Sequence, residues 1–323
     1  MILAPRDHGG NLEQARAIYG GEDWIDLSTG INRVPYRVPL ISHAAFTALP
    51  THAAMQGLMR AAAFAYETTA PMVALQGAQA AIQLVPLLRP IGLARVVGPT
   101  YNEHAATLRA MGWSVQEVVT LDELRGADIA VVVNPNNPDG RHWTRAALLA
   151  LRGQVGLLVV DESFADPVPT ESLACAAGSD GLLVLRSFGK FYGLAGLRLG
   201  FALGSPSDIA RLKDLSGPWP VSGPAIEVAS LALQDTAWAA TTIKRLAGEA
   251  VRMDALCADL GWKALGGTLL FRLYDTPDAQ QAQDHLARAH IWSRIFPYSQ
   301  SWIRLGLPGN EAEWARMAAL TRA

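Results

Sequence analysis

Lysine is scarce in this chain: Lys190, Lys213, Lys244 and Lys263 are the only four in 323 residues. Cysteine is scarcer still. Cys175 and Cys257 lack a CxxC spacing and have no histidine cluster around them, so they read as two reduced thiols, and no metal site is expected. No apolar run approaches the roughly 18–20 residues a membrane helix needs. The first ten residues carry charge and glycine but no apolar stretch of the kind a signal peptide requires. Neither sign of charge dominates, with 27 basic and 29 acidic side chains and a formal net charge of −2. Without a basic block, nucleic acid is not an expected partner. The expectation is a soluble, cytoplasmic protein with no membrane attachment.

What is present points to a globular protein of two lobes. Half the residues are hydrophobic, and 29 glycines and 19 prolines are spread along the chain. Short apolar runs alternate with helical patterns in the middle of the chain, the mark of an α/β domain with a mostly parallel sheet covered by helices on both faces. Strands are predicted at Met72–Gln76, Ala94–Gly98, Ser114–Val119, Ile129–Asn134, Gly156–Asp161, Leu182–Ser187 and Gly200–Leu203. Helices are predicted at Ala44–Tyr66, Ala78–Leu88, Asn102–Met111, Thr144–Arg152 and Ile226–Leu260, with later strands at Thr268–Tyr274 and Ser301–Leu307. Residues 40–206 are expected to form the larger domain, and residues 1–39 with 207–323 a smaller α+β domain.

Four features fall at predicted strand ends. Lys190 lies in Ser187-Phe188-Gly189-Lys190-Phe191-Tyr192-Gly193, among glycines and aromatics, where partial desolvation would free its amine for Schiff-base chemistry. Arg198 follows eight residues later as a second cation. Asp161 ends a buried run, at the carboxyl edge where parallel sheets bind ligands, and a carboxylate there can hold a pyridine nitrogen protonated. Asn134-Pro135-Asn136-Asn137-Pro138-Asp139-Gly140 makes a stiff turn that aims an amide. Gly77-Ala78-Gln79 opens a helix, a ready phosphate site. Taken singly, each also reads as an ordinary cap, turn or surface charge. Their order is what carries weight. A Rossmann nucleotide site is excluded for want of a Gly-x-Gly-x-x-Gly turn.

That order resembles the fold-type I pyridoxal-5'-phosphate (PLP) enzymes of the class I/II aminotransferase group, over nearly the whole chain. The resemblance implies that Lys190 carries the cofactor and that Asp161 partners its ring nitrogen. It further implies that Asn137 bonds the ring hydroxyl and that Gly77, Ala78, Gln79, Ser187 and Arg198 hold the phosphate. Tyr101, in Pro99-Thr100-Tyr101-Asn102-Glu103-His104, would stack on the ring, with His104 behind Asp161. Arg304 would clamp a substrate carboxylate. The chain's ends look most like the threonine-phosphate decarboxylases of cobalamin biosynthesis, through Asp7-His8-Gly9-Gly10-Asn11 and Ser28-Thr29-Gly30-Ile31-Asn32. By that likeness His8, Gly9, Asn32 and Arg294 bind a small phosphorylated amino acid, and the protein is a homodimer.

Three positions depart from the pattern. Asp161-Glu162-Ser163-Phe164 has phenylalanine where the group has tyrosine, which leans toward the decarboxylases. Leu49-Pro50-Thr51 lacks the tyrosine that reaches a partner subunit, and Asn32-Arg33 replaces an Asn-Pro. Two other readings stand beside the decarboxylase: a histidinol-phosphate-type aminotransferase, and a non-catalytic scaffold subunit that has kept the fold.

Overall fold

The computed structural model describes residues 8–322, so Asp7 lies outside the described residues. Strand β1 (Ile25–Asp26) precedes seven strands of one sheet: β2 (Met72–Leu75), β3 (Leu93–Val97), β4 (Ser114–Val118), β5 (Ile129–Val133), β6 (Leu158–Asp161), β7 (Leu182–Ser187) and β8 (Gly200–Leu203). Five more follow: β9 (Lys263–Gly267), β10 (Phe271–Asp275), β11 (Ile291–Trp292), β12 (Arg294–Phe296) and β13 (Ser299–Gly306).

The seven-stranded sheet runs β2-β8-β7-β6-β5-β3-β4, parallel except for β8, which is antiparallel to both its neighbours. Every residue of β5 and β6 is buried, because helices cover both faces, and this is why those runs do not alternate. Val131, Val159, Leu183 and Leu185 anchor the apolar core beneath the helices. Each such side chain contributes roughly 1.5–3 kcal/mol by leaving water. The expected mostly parallel sheet is therefore present, and its strands begin and end within two residues of the predicted limits.

Two predicted helices are each broken in two. Ala44–Tyr66 becomes His43–Thr47 and His52–Ala65, because Pro50 cannot donate to a helix and Thr51 caps the second piece through the Ala54 N–H. Ile226–Leu260 becomes Gly223–Ala232 and Thr236–Asp259, where the Asp235 carboxylate accepts from the Trp238 N–H and starts a new helix. In the later part of the chain β9, β11 and β12 were not foreseen, being short or polar; the predicted strand Thr268–Tyr274 starts three residues later, at Phe271.

The chain divides into two compact units. The larger comprises Tyr36–Asn137 and Arg141–Ala240, and the smaller takes the residues through Pro35, Pro138–Gly140 and everything from Thr241. Residues 207–240, expected in the smaller lobe, cluster with the sheet instead. Helix Gly223–Ala232 packs on the two helices of residues 43–65, and helix Pro206–Ser216 packs on β2. The smaller unit holds the antiparallel sheet β12-β13-β10-β9 and the parallel pair β1-β11.

Candidate active site

In the larger unit, the carboxyl ends of β2, β3, β5, β6 and β7 lie along one edge of the sheet, and the chemistry-bearing residues follow them. Asp161 ends β6 and is 2% exposed. Its carboxylate meets His104 Nε2 at 2.9 Å and accepts from the Ser163 N–H at 2.9 Å. Burial alone would push this carboxyl up. The His104 hydrogen bond and charge, the nearby Lys190 and the Ser163 N–H outweigh that and hold it at about 2, so it stays ionised.

Lys190 sits in the four-residue helix Phe188–Phe191 after β7. Phe188, Phe191 and Tyr192 are buried around it, and a stack of Phe188, Tyr192 and Trp238 fixes that segment. Gly189 is required next to it: a side chain there would begin 2.6 Å from the Ala195 Cα. The Lys190 ammonium stands over the Phe164 ring, 4.4 Å from its centroid, so the departure at Phe164 gives Lys190 an aromatic face in place of a phenol.

The Gly77 end of helix Gly77–Leu84 has no side-chain cap. Gly77 has φ +76°, and a Cβ there would come within 2.8 Å of an Arg198 guanidinium nitrogen. Uncapped backbone N–H groups of Gly77, Ala78 and Gln79 and a cation thus share one small space, the arrangement an anion needs. Ser187, half-buried, precedes helix Phe188–Phe191 without capping it. The Gln79 side chain is committed elsewhere: Nε2 donates to Glu103, and Oε1 accepts from the Tyr101 hydroxyl at 3.0 Å. Tyr101 also lies edge-on to His104, with centroids 6.2 Å apart. The Asn134–Gly140 turn is held by its own amides. Asn134 bonds Trp143 in both directions and Asn136 bonds Thr100 and Pro99, leaving Asn137 half-buried at the edge.

In the smaller unit, His8, Gly9 and Arg294 line one cavity of about 340 Å³ together with Ser28, Gln283 and Ser293. Arg294 on β12 is the direct antiparallel neighbour of Arg304 on β13. Each guanidinium rests on an aromatic ring, Phe296 and Phe271 respectively. Arg304 is 7% exposed and donates to the Ser28 carbonyl at 2.6 Å. Burial and then the charge of Arg294 bring Arg304 down to about 10. Like charges facing each other across a strand pair oppose folding, and a bound anion relieves that.

Arg304 and Asn32 are not among the cavity's lining residues. Asn32 Oδ1 accepts from Arg245 at 2.7 Å and from the Val34 N–H at 3.0 Å. Arg33, the residue in place of proline, pairs with Glu313 through two hydrogen bonds of 2.9 and 2.6 Å and so clamps the loop. Arg245, Gln283 and the Asp26–Ser28 pair that receives the Gly10 N–H escaped the sequence reading. Only Ser28 carried a signal, at the head of Ser28–Asn32; Arg245 is one of two arginines on the long helix Thr236–Asp259.

A lysine, an ionised carboxylate and an anion cradle along one sheet edge are the marks of an enzyme site. The chain belongs to the aminotransferase class I and II family, whose model matches residues 24–319. It is similar to the threonine-phosphate decarboxylase of a Sinorhizobium species, at 43% identity over 99% of both chains. It is also similar to the threonine-phosphate decarboxylase of Pseudomonas aeruginosa, at 42% identity over 97% of this chain and 96% of that one. Among solved structures, histidinol-phosphate aminotransferase from Sinorhizobium meliloti in complex with pyridoxal-5'-phosphate matches with a TM-score of 0.81. That match covers 99% of this chain and 96% of the other at 20% identity, and is a likeness of fold.

Proposed function

We propose that this chain is a PLP-dependent decarboxylase that converts L-threonine O-3-phosphate to CO2 and (R)-1-aminopropan-2-ol O-phosphate, for the aminopropanol linker of cobalamin. The observation that carries the substrate is the facing pair Arg294 and Arg304 beside a cavity of about 340 Å³. Two guanidinium groups suit a small molecule bearing both a phosphate and a carboxylate. The two full-length relatives bear the name of this activity.

The residues of the larger unit fit the cofactor. The Gly77–Gln79 backbone, Ser187 and Arg198 would hold its phosphate, Asn137 its ring hydroxyl, Tyr101 its ring face, and the Lys190 amine its aldehyde. When bound, PLP supplies an electron sink for the pair left at Cα as CO2 departs. Asp161, ionised at neutral pH, keeps the ring nitrogen protonated, and His104 keeps Asp161 in place. Lys190 delivers the proton that replaces the carboxylate at Cα.

Reaction choice depends on which bond at Cα stands perpendicular to the ring plane. His8, Gly9, Asn32 and Arg294 grip the substrate phosphate and Arg304 the carboxylate. Such a remote grip would let binding energy select which bond at Cα reacts. Phe164 in place of tyrosine favours this reading over the histidinol-phosphate aminotransferase. The two separate on substrate: histidinol phosphate with 2-oxoglutarate must yield no glutamate, and glutamate formation would replace the decarboxylase with the aminotransferase.

We read the protein as a cytoplasmic homodimer. Val38, Leu40, Phe46 and Leu49 are exposed apolar side chains on one stretch, with Leu40 fully so, and a second copy would cover them. Two unpaired cysteines suit a reducing compartment. Among the described residues, no helix is long and apolar enough to cross a membrane.

A further inference from the structure

Glu103 lies in the segment that supplies Tyr101 and His104, yet neither the cofactor nor the substrate reading uses it. It is 6% exposed, in the first turn of helix Glu103–Ala110. A carboxylate at a helix start is favourable in itself, but that role needs no burial and no side-chain partner. Here Gln79 Nε2 donates to Glu103 Oε2 at 3.1 Å, and Gln79 Oε1 accepts from the Tyr101 hydroxyl at 3.0 Å. A carboxylate only accepts, so the amide of Gln79 must turn its nitrogen to Glu103 and its oxygen to Tyr101. The Tyr101 proton is thereby committed to Gln79. The ring is then bounded by His104 on its flank and tethered at its hydroxyl, which restrains its tilt.

We propose that Glu103 is a positioning residue for the cofactor: acting through Gln79, it fixes the plane that Tyr101 presents to the pyridoxal ring. This rests on the PLP reading above. It assigns the Gln79 side chain to the ring's support and leaves its backbone N–H to the phosphate.

The test is the equilibrium dissociation constant for PLP, with the visible circular dichroism of the bound cofactor as a measure of its fixed orientation. Wild type, Glu103→Met, Glu103→Gln and Tyr101→Phe are compared, along with the Glu103→Met, Tyr101→Phe double variant. Glu103→Met removes the acceptor and is expected to raise the dissociation constant about tenfold and to weaken the dichroism. Glu103→Gln keeps an acceptor oxygen and stays within about threefold of wild type. On the Tyr101→Phe background, Glu103→Met adds nothing, since the relay has lost its end.

Wild-type affinity and dichroism in Glu103→Met, or the same loss on the Tyr101→Phe background as on wild type, overturns the relay. Should Glu103→Met fail to fold, Gln79→Met carries the same expectation and the same refutation. Wild-type protein that takes up no PLP overturns the cofactor reading itself, a result distinct from uptake that ignores Glu103.

Discussion

Replacing His104 by phenylalanine removes the partner of Asp161 while keeping a ring of similar size. Both side chains are 2–3% exposed, so neither is screened by solvent. A hydrogen bond to a charged group contributes about 1.5–3 kcal/mol, and breaking a buried pair costs as much as about 3–5 kcal/mol. Asp161 would keep the Ser163 N–H and the field of Lys190, against a burial that favours the neutral acid. The dissociation constant for PLP is therefore expected to rise about 10- to 100-fold, and Tm to fall by several degrees.

The pH dependence has a definite sign. In the wild type the Asp161 carboxyl falls from its ordinary 3.8 to about 2 on folding. A depressed carboxyl stabilises the folded state by about 2 kcal/mol at pH values above its unfolded pKa, and that contribution is lost as pH falls through the folded pKa. The loss spans roughly pH 4 to 2. In His104→Phe the carboxyl rises, so the acid limb of both stability and cofactor binding moves to higher pH. Titrations of PLP against wild type, His104→Phe and His104→Gln from acid to neutral pH read this directly, with the glutamine, which keeps a donor, falling between. A His104→Phe protein with the wild-type Tm, affinity and acid limb refutes the account of how Asp161 is held.

Three further substitutions extend the test. Arg294→Ala should weaken turnover of the phosphorylated substrate roughly 100-fold or more, as loss of a charged contact of about 3 kcal/mol implies, while PLP affinity stays near wild type; equal losses of both would remove Arg294 from substrate binding. Gly77→Ala forces a side chain into a left-handed backbone and against Arg198, and should cost about 1–3 kcal/mol of stability, read by denaturant melts, together with a weaker hold on PLP. Arg245→Met should raise KM for the phosphorylated substrate several-fold with kcat little changed, because Asn32, proposed above to bind that substrate, loses the Arg245 hydrogen bond that orients its amide; an unchanged KM shows that Arg245 does not set that amide.

The strands were legible because a sheet covered on both faces writes continuous apolar runs, as in Ile129–Val133, bounded by glycine, proline or asparagine. The candidate residues Asp161 and Lys190 stood out for a related reason, since they fall at or just after the carboxyl ends of such strands, where ligands gather. The helix breaks were less so. Pro50 was an overt signal, whereas the break at Asp235 depended on a cap competing with a pattern helical on either side. What stayed hidden was pairwise. Nothing in the spacing of residues 32 and 245, or of 79 and 103, announces that their side chains meet, and the adjacency of Arg294 and Arg304 needed the register of β12 on β13.

The most direct test of the central claim is CO2 release from L-threonine O-3-phosphate by purified, PLP-loaded protein with no oxo acid present. The account predicts one CO2 and one 1-aminopropan-2-ol O-phosphate for each substrate consumed. Turnover that instead requires 2-oxoglutarate, with the carboxylate retained in the product, would contradict it.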